Sequence, residues 1–167
     1  MKSFSSNHPA VNLALAGALL LALAMPAFAV LGDNAASVLT DQARMKGTLN
    51  SVDHQTYVMH EITAPSGSKV REYVTPGGVV FGVAWQGQFA PNFEQLLGPY
   101  YQQLQTALAQ QKSAEQESGQ QTHARRGPVF VQTPGLVFAQ SGRPRSLQGQ
   151  AYIPQLIPQG VAASDIR

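Results

Sequence analysis

The sequence predicts an α+β fold: an antiparallel β-sheet, a three-stranded meander plus C-terminal strands, covered on one face by a broken amphipathic helix. Three observations lead there. Lys69–Trp85 (KVREYVTPGGVVFGVAW) is the densest run of β-formers in the chain, holds its single Trp, and is split by Pro76-Gly77-Gly78. From Asn92 the apolar spacing changes to steps of three and four, at Phe93, Leu96, Leu97, Tyr100, Leu104 and Leu108. Near the end, Ser146–Ile153 returns to a period of two.

Taken in order, the chain opens on a segment that reads as an address rather than as fold. Lys2 precedes the apolar run Val11–Ala24; Met25-Pro26 breaks that run, and Ala27-Phe28-Ala29 gives a small-x-small cleavage pattern. This is the composition of a secretory signal peptide over residues 1–29, cleaved after Ala29. The run is shorter than the roughly 20 residues a spanning helix needs. No later segment is long and apolar enough to cross a bilayer, so no transmembrane segment is expected after cleavage. The remaining residues, 30–167, are enough for one domain. Val30–Asn50 is weakly patterned and predicts a loosely attached arm. It holds one short helix through Ala35–Leu39, opened by Asp33 or Asn34 and interrupted at Gly47.

Strands are expected at Gln55–Thr63, Lys69–Thr75 and Val79–Gln86, joined by Ala64–Ser68 and by the Pro-Gly-Gly turn. If Thr63 pairs with Lys69, then Ile62 meets Val70, His60 meets Glu72, Glu61 meets Arg71 and Val58 meets Val74. In the third strand Val79, Phe81, Val83 and Trp85 should share one face. Val80, Gly82 and Ala84 leave the other face open to close packing. Gly98-Pro99 falls inside the helical run, and a Pro in a helix interior costs about 3 kcal/mol. The run therefore divides into a short helix Asn92–Leu97, stopped by Gly98, and a second one starting at Pro99 and ending near Gln111. Its apolar stripe predicts that it lies on the sheet. Gln110–Gly127 has no apolar side chain larger than Ala and predicts a flexible linker near 112–127. Short strands at Val129–Val131 and Leu136–Gln140, a turn at Ser141–Pro144, the strand Ser146–Ile153 and a tail Val161–Arg167 complete the chain. The two groups of strands suggest one mixed sheet.

Charge and composition narrow the chemistry. The formal charge of +2 becomes +1 once Lys2 is removed, too little to argue for nucleic acid. With no Cys, disulfides, thiolate metal sites and a lipidated N-terminal cysteine are excluded. There is no G-x-S-x-G elbow and no H-E-x-x-H, and His60-Glu61 is a bare dipeptide whose side chains point to opposite faces of a strand. His54 and His60 share parity but stand about 20 Å apart on an extended strand. No catalytic residue, metal ligand set or cofactor is expected. The binding candidates are the polar pair His60 and Glu72, set in an otherwise apolar row, and the aromatics Tyr73, Trp85 and Tyr152. A structural role is preferred for the pair, since a buried carboxylate needs a hydrogen-bonded partner. The sharper reading makes it a general acid/base pair.

The blocks VREYVTPGGVVFGVAW, PNFEQLLGPYY and GRPRSLQGQAYIPQLIPQGV, in that order, resemble a bacterial family of small secreted proteins called domain of unknown function 2844. The resemblance covers most of the chain after the signal, apart from the linker. It implies an exported bacterial protein and brings no catalytic residues. The reading is thus an exported, periplasmic or extracellular protein. It acts as a non-catalytic, envelope-associated binding or structural module whose partner is an envelope protein or polymer. The alternative is a small secreted hydrolase using His60 and Glu72.

Overall fold

Two antiparallel meanders meet at the centre of one seven-stranded sheet. The computed structural model describes residues 31–117 and 127–167; the expected signal peptide and the stretch 118–126 lie outside the described residues. The first meander is β1 (Thr48–Asp53), β2 (Val58–Thr63), β3 (Lys69–Val74) and β4 (Val80–Gly87). The second is β5 (Val129–Gln132), β6 (Val137–Arg143) and β7 (Ser146–Tyr152). The strand order is β1-β2-β3-β4-β7-β6-β5, so the C-terminal strands join the first sheet through the β4–β7 pair. Every neighbouring pair is antiparallel, in line with the antiparallel sheet expected; the two groups of strands do form one sheet, but not a mixed one.

The turns obey their residues. Gly67 and Gly78 have φ of 80° and 79°, and close the β2–β3 and β3–β4 connections. Ala64 N–H donates to the Ser68 carbonyl, and Thr75 N–H donates to the Val79 carbonyl. The β6–β7 turn falls one step later than expected: Arg143 pairs with Ser146, leaving Pro144-Arg145 as the two-residue loop. The β2–β3 register is the expected one, with Thr63 opposite Lys69 and His60 opposite Glu72.

Three helices belong to one face of the sheet. Helix α1 (Ser37–Met45), α2 (Phe93–Leu97) and α3 (Pro99–Glu117) contribute Val38, Leu96, Leu97 and Leu104 to a core. That core also takes Ile62 and Val70 from β2 and β3, Val83 and Trp85 from β4, and Phe138 and Val131 from β6 and β5. Asn92 caps α2, its Oδ1 accepting from Gln95 N–H at 3.1 Å. Gly98, at φ 48°, ends it, and Pro99 opens α3, where its missing N–H costs nothing. Helix α3 runs on to Glu117, six residues beyond the expected end.

Two further expectations are corrected. The arm before Asn50 is tightly held. Leu31 is fully buried, Gly32 N–H donates to the Val80 carbonyl, Val80 N–H donates to the Asp33 carbonyl, and Asn34 bridges Val79. It carries a full α1 and then β1, the exposed edge strand against β2. The alternation in β4 also breaks. Tyr73 pairs with Gly82 but Val74 pairs with Val80, so Phe81 is an inserted bulge residue. Val80 therefore joins Val83 and Trp85 in the helix-side core, and Phe81 turns to the opposite face.

On that opposite face a second, smaller core forms from Tyr73, Phe81, Ala84 and Ile166, with Tyr57, Met59 and Tyr152 packed around it. Gly82 makes it possible: a Cβ there would stand 3.0 Å from Ile166 Cδ1. The tail thus covers part of this face. Tyr73 Oη donates to the Arg167 main-chain oxygen at 2.8 Å and accepts from the Arg167 N–H at 3.0 Å.

Candidate functional site

Glu72 lies at the middle of β3 on the helix side, 1% exposed. Its cross-strand neighbour is His60, yet the two side chains find different partners. His60 Nδ1 is 2.7 Å from Ser51 Oγ on β1, and burial lowers the imidazole pKa. Neither carboxyl oxygen of Glu72 has a well-formed hydrogen bond. What acts on it is Asp41 of α1, itself 2% exposed. Burial, then the charge and the loose side-chain contact of Asp41, push the Glu72 pKa up to about 8. Burial raises Asp41 to about 6, against the lowering effects of Gln95, Arg44 and Glu72. Gln95 Nε2 donates to Asp41 Oδ1 at 2.5 Å. Burial and the neighbouring Asp41 thus favour the neutral form of Glu72 where β3 meets α1, and Gln95 links Asp41 to α2.

The expected His60–Glu72 contact is therefore a register pair only, and the buried partner is Asp41. The sequence does contain its signal. With α1 extended to Met45, Val38, Asp41 and Met45 fall at helical spacing on one stripe, so Asp41 belongs to the buried face. Asp41 and Gln95 border a cavity of about 270 Å³ that Phe89 and Pro91 also line; Glu72 is not among its lining residues.

The opposite face of the sheet carries a different feature. Two rows of side chains cross it at right angles to the strands. Lys69, Gln86, Gln148 and Ser141 stand opposite one another in turn, on β3, β4, β7 and β6. Two residues along each strand, Arg71, Ala84, Gln150, Ala139 and Phe130 form the second row and reach β5. Together they line a trough of about 480 Å³, with Arg167 from the tail at one margin. Its middle is shallowly cut because Ala84 and Ala139 are small. At one end Phe130 is 55% exposed. At the other, Lys69 and Arg71 both pair with Glu61, at 2.9 and 2.7 Å, and these contacts hold the Glu61 carboxyl below its ordinary pKa. Arg71 Nη1 also donates to the Arg167 main-chain oxygen at 2.6 Å. A second depression, about 390 Å³, shares Lys69 and Gln86 with the trough and adds Arg145.

Tyr73 and Trp85, expected as binding aromatics, are 2% and 4% exposed. Trp85 packs between Phe93 and Phe138, with ring centroids 5.1 and 5.4 Å away. Tyr152 is half-buried beside the smaller core. The aromatic that the sheet does present is Phe130. Among the described residues no cluster of three or more metal-ligating side chains occurs, and no helix is long and apolar enough to cross a membrane.

No curated protein and no solved structure matches the chain. A family described as protein of unknown function (DUF2844) matches residues 27–166, nearly the whole sequence. With the three sequence blocks falling on the β3–β4 hairpin, on α2 with the start of α3, and on β7 with the tail, the chain belongs to the DUF2844 family.

Proposed function

We propose that the protein is exported and acts as a non-catalytic binding module of the bacterial envelope, its ligand lying across the open face of the sheet. The observation that carries this reading is the trough. An antiparallel sheet commonly faces solvent on one side with scattered polar residues. Here the residues are ordered into two cross-strand rows, with amides at the centre, cations at one end and an exposed ring at the other. The hydrolase alternative is disfavoured by the same geometry. Glu72 is shut beneath α1 and away from the cavity wall, and the His60 ring is engaged by Ser51. A general acid has to reach its substrate within hydrogen-bond range.

Export is expected from the N-terminal pattern. N-terminal sequencing of protein from the extracytoplasmic fraction should begin at Val30; uncut, membrane-integral protein would count against the proposal. Binding is tested by nuclear magnetic resonance on 30–167 titrated with solubilised envelope polymer fractions. Side-chain amide signals of Gln86, Gln148 and Gln150 should shift together. Shifts confined to the helix side, or none from any fraction, would remove the trough as the binding site.

A further inference from the structure

We infer that the trough takes an extended acidic polysaccharide strand, a proposal that rests on the binding reading above. The chemistry of its two rows points there. Gln86, Gln148 and Gln150 each present a primary amide, one donor group and one acceptor, which matches neighbouring hydroxyls of a sugar. They lie on two adjacent strands, β4 and β7, about 4.8 Å apart, so the amides form a compact patch rather than isolated contacts. Ala84 and Ala139 leave low places in the second row on either side of Gln150, where a ring can settle. Phe130 offers an exposed apolar ring at the end of the second row, about four strand spacings, or roughly 19 Å, from Arg71. That length suits a chain of several sugar units and is too long for a single one.

The cations decide the charge of the ligand. Lys69, Arg71, Arg167 and the adjoining Arg145 gather at one end, against the carboxylates Glu61 and Asp165. The excess is positive but local. A nucleic acid or other polyphosphate places charge at every repeat and calls for cations along the whole path. Here the central positions are neutral amides and alanines. A polymer with spaced carboxylates and many hydroxyls fits both halves of the trough.

The test is calorimetric titration of residues 30–167 with oligogalacturonate, with alginate oligomers and with peptide-free muramic-acid glycan strands. Neutral maltooligosaccharides, polyglutamate and vesicles containing an anionic lipid serve as comparisons. At least one acidic glycan should bind about tenfold or more tighter than the neutral one, and its affinity should fall with added salt. The double substitution Gln148→Ala, Gln150→Ala should weaken that binding by about tenfold or more, with the melting temperature unchanged. Phe130→Ala should also weaken it. Arg167→Gln should reduce the salt dependence, because Arg71 and Tyr73 bond the main chain of Arg167 and keep their contacts. Failure of all three acidic glycans to bind overturns the inference, as does binding that the Gln148/Gln150 variant leaves intact. Polyglutamate or vesicle binding that this variant abolishes overturns the glycan assignment and leaves the binding-module reading standing.

Discussion

Trp85→Ala is expected to cost about 3–5 kcal/mol of folding stability, the range for truncating a large buried aromatic. The indole is held on all sides. Phe93 and Phe138 close on it edge-on and tilted, and on each other at 5.3 Å. Beneath it β7 carries Gly149, where an added Cβ would fall 2.3 Å from Trp85 Cζ2. The space above Gly149 is thus already filled by the ring, and its removal leaves a cavity that the rigid sheet cannot collapse. Trp85→Phe should cost much less. The indole Nε1 is buried without an acceptor, so losing that donor breaks no bond. Chemical denaturation tracked by far-ultraviolet circular dichroism measures both variants. An Ala variant within about 1 kcal/mol of the parent would show that Trp85 is not the keystone of the helix-side core.

The second large effect is a loss of stability as the solution turns alkaline, and its removal by Glu72→Gln. An unfolded glutamate releases its proton near 4.5, whereas the folded protein retains that of Glu72 to about 8. Between these values the native state binds more protons than the unfolded state, so raising the pH favours unfolding. The contribution is complete below 4.5 and gone above about 8. Asp41 acts in the same direction between 3.8 and about 6. His60 and Glu61 oppose it at lower pH. Burial holds His60 below 6.5, and the Lys69 and Arg71 contacts hold Glu61 below 4.5, so acid favours the unfolded forms of both. The interval from 6.5 to 8 is left to Glu72. Across it the parent should lose about 2 kcal/mol, at about 1.4 kcal/mol per pH unit for one proton. Glu72→Gln should be nearly flat, since the amide stays neutral and still donates toward Asp41. Denaturant titrations at a series of pH values decide the matter, and parallel slopes for parent and variant would sink the assignment.

The parts of this fold that are legible in the sequence are those governed by neighbours in the chain. Pro76-Gly77-Gly78, Asn92 and Gly98-Pro99 mark their turn, cap and break because each acts within a few residues of itself. The β2–β3 register is readable for the same reason: a short turn leaves one pairing that keeps Ile62, Val70, Val58 and Val74 together. Features set from a distance escape. Nothing around Phe81 announces the bulge that turns it, since its new surroundings come from Tyr57 on one side and Ile166 on the other. Asp41 becomes legible only once α1 is known to run to Met45; beyond the shorter helix expected through Ala35–Leu39 it reads as a solvent-facing polar residue. The trough is the same case on a larger scale. Gln148 and Gln150 are recognisable as the polar side of a strand, but Lys69 and Arg71 reach them only through the β4–β7 pairing of strands far apart in the sequence, and Phe130 only through two successive hairpins. The candidate site is therefore a property of the assembled sheet rather than of any motif.

The seam between β4 and β7 also shapes how the molecule comes together. Each meander is made of hairpins between consecutive strands and can form from nearby segments. Joining them brings Gly87 to Leu147 across everything in between, a closure whose entropic penalty grows only with the logarithm of the intervening length. Sequence-distant pairing of this kind raises the contact order and slows folding. The trough straddles that seam, with Lys69, Arg71, Ala84 and Gln86 on one side and Gln148, Gln150, Ala139 and Phe130 on the other, so neither meander alone holds the candidate site.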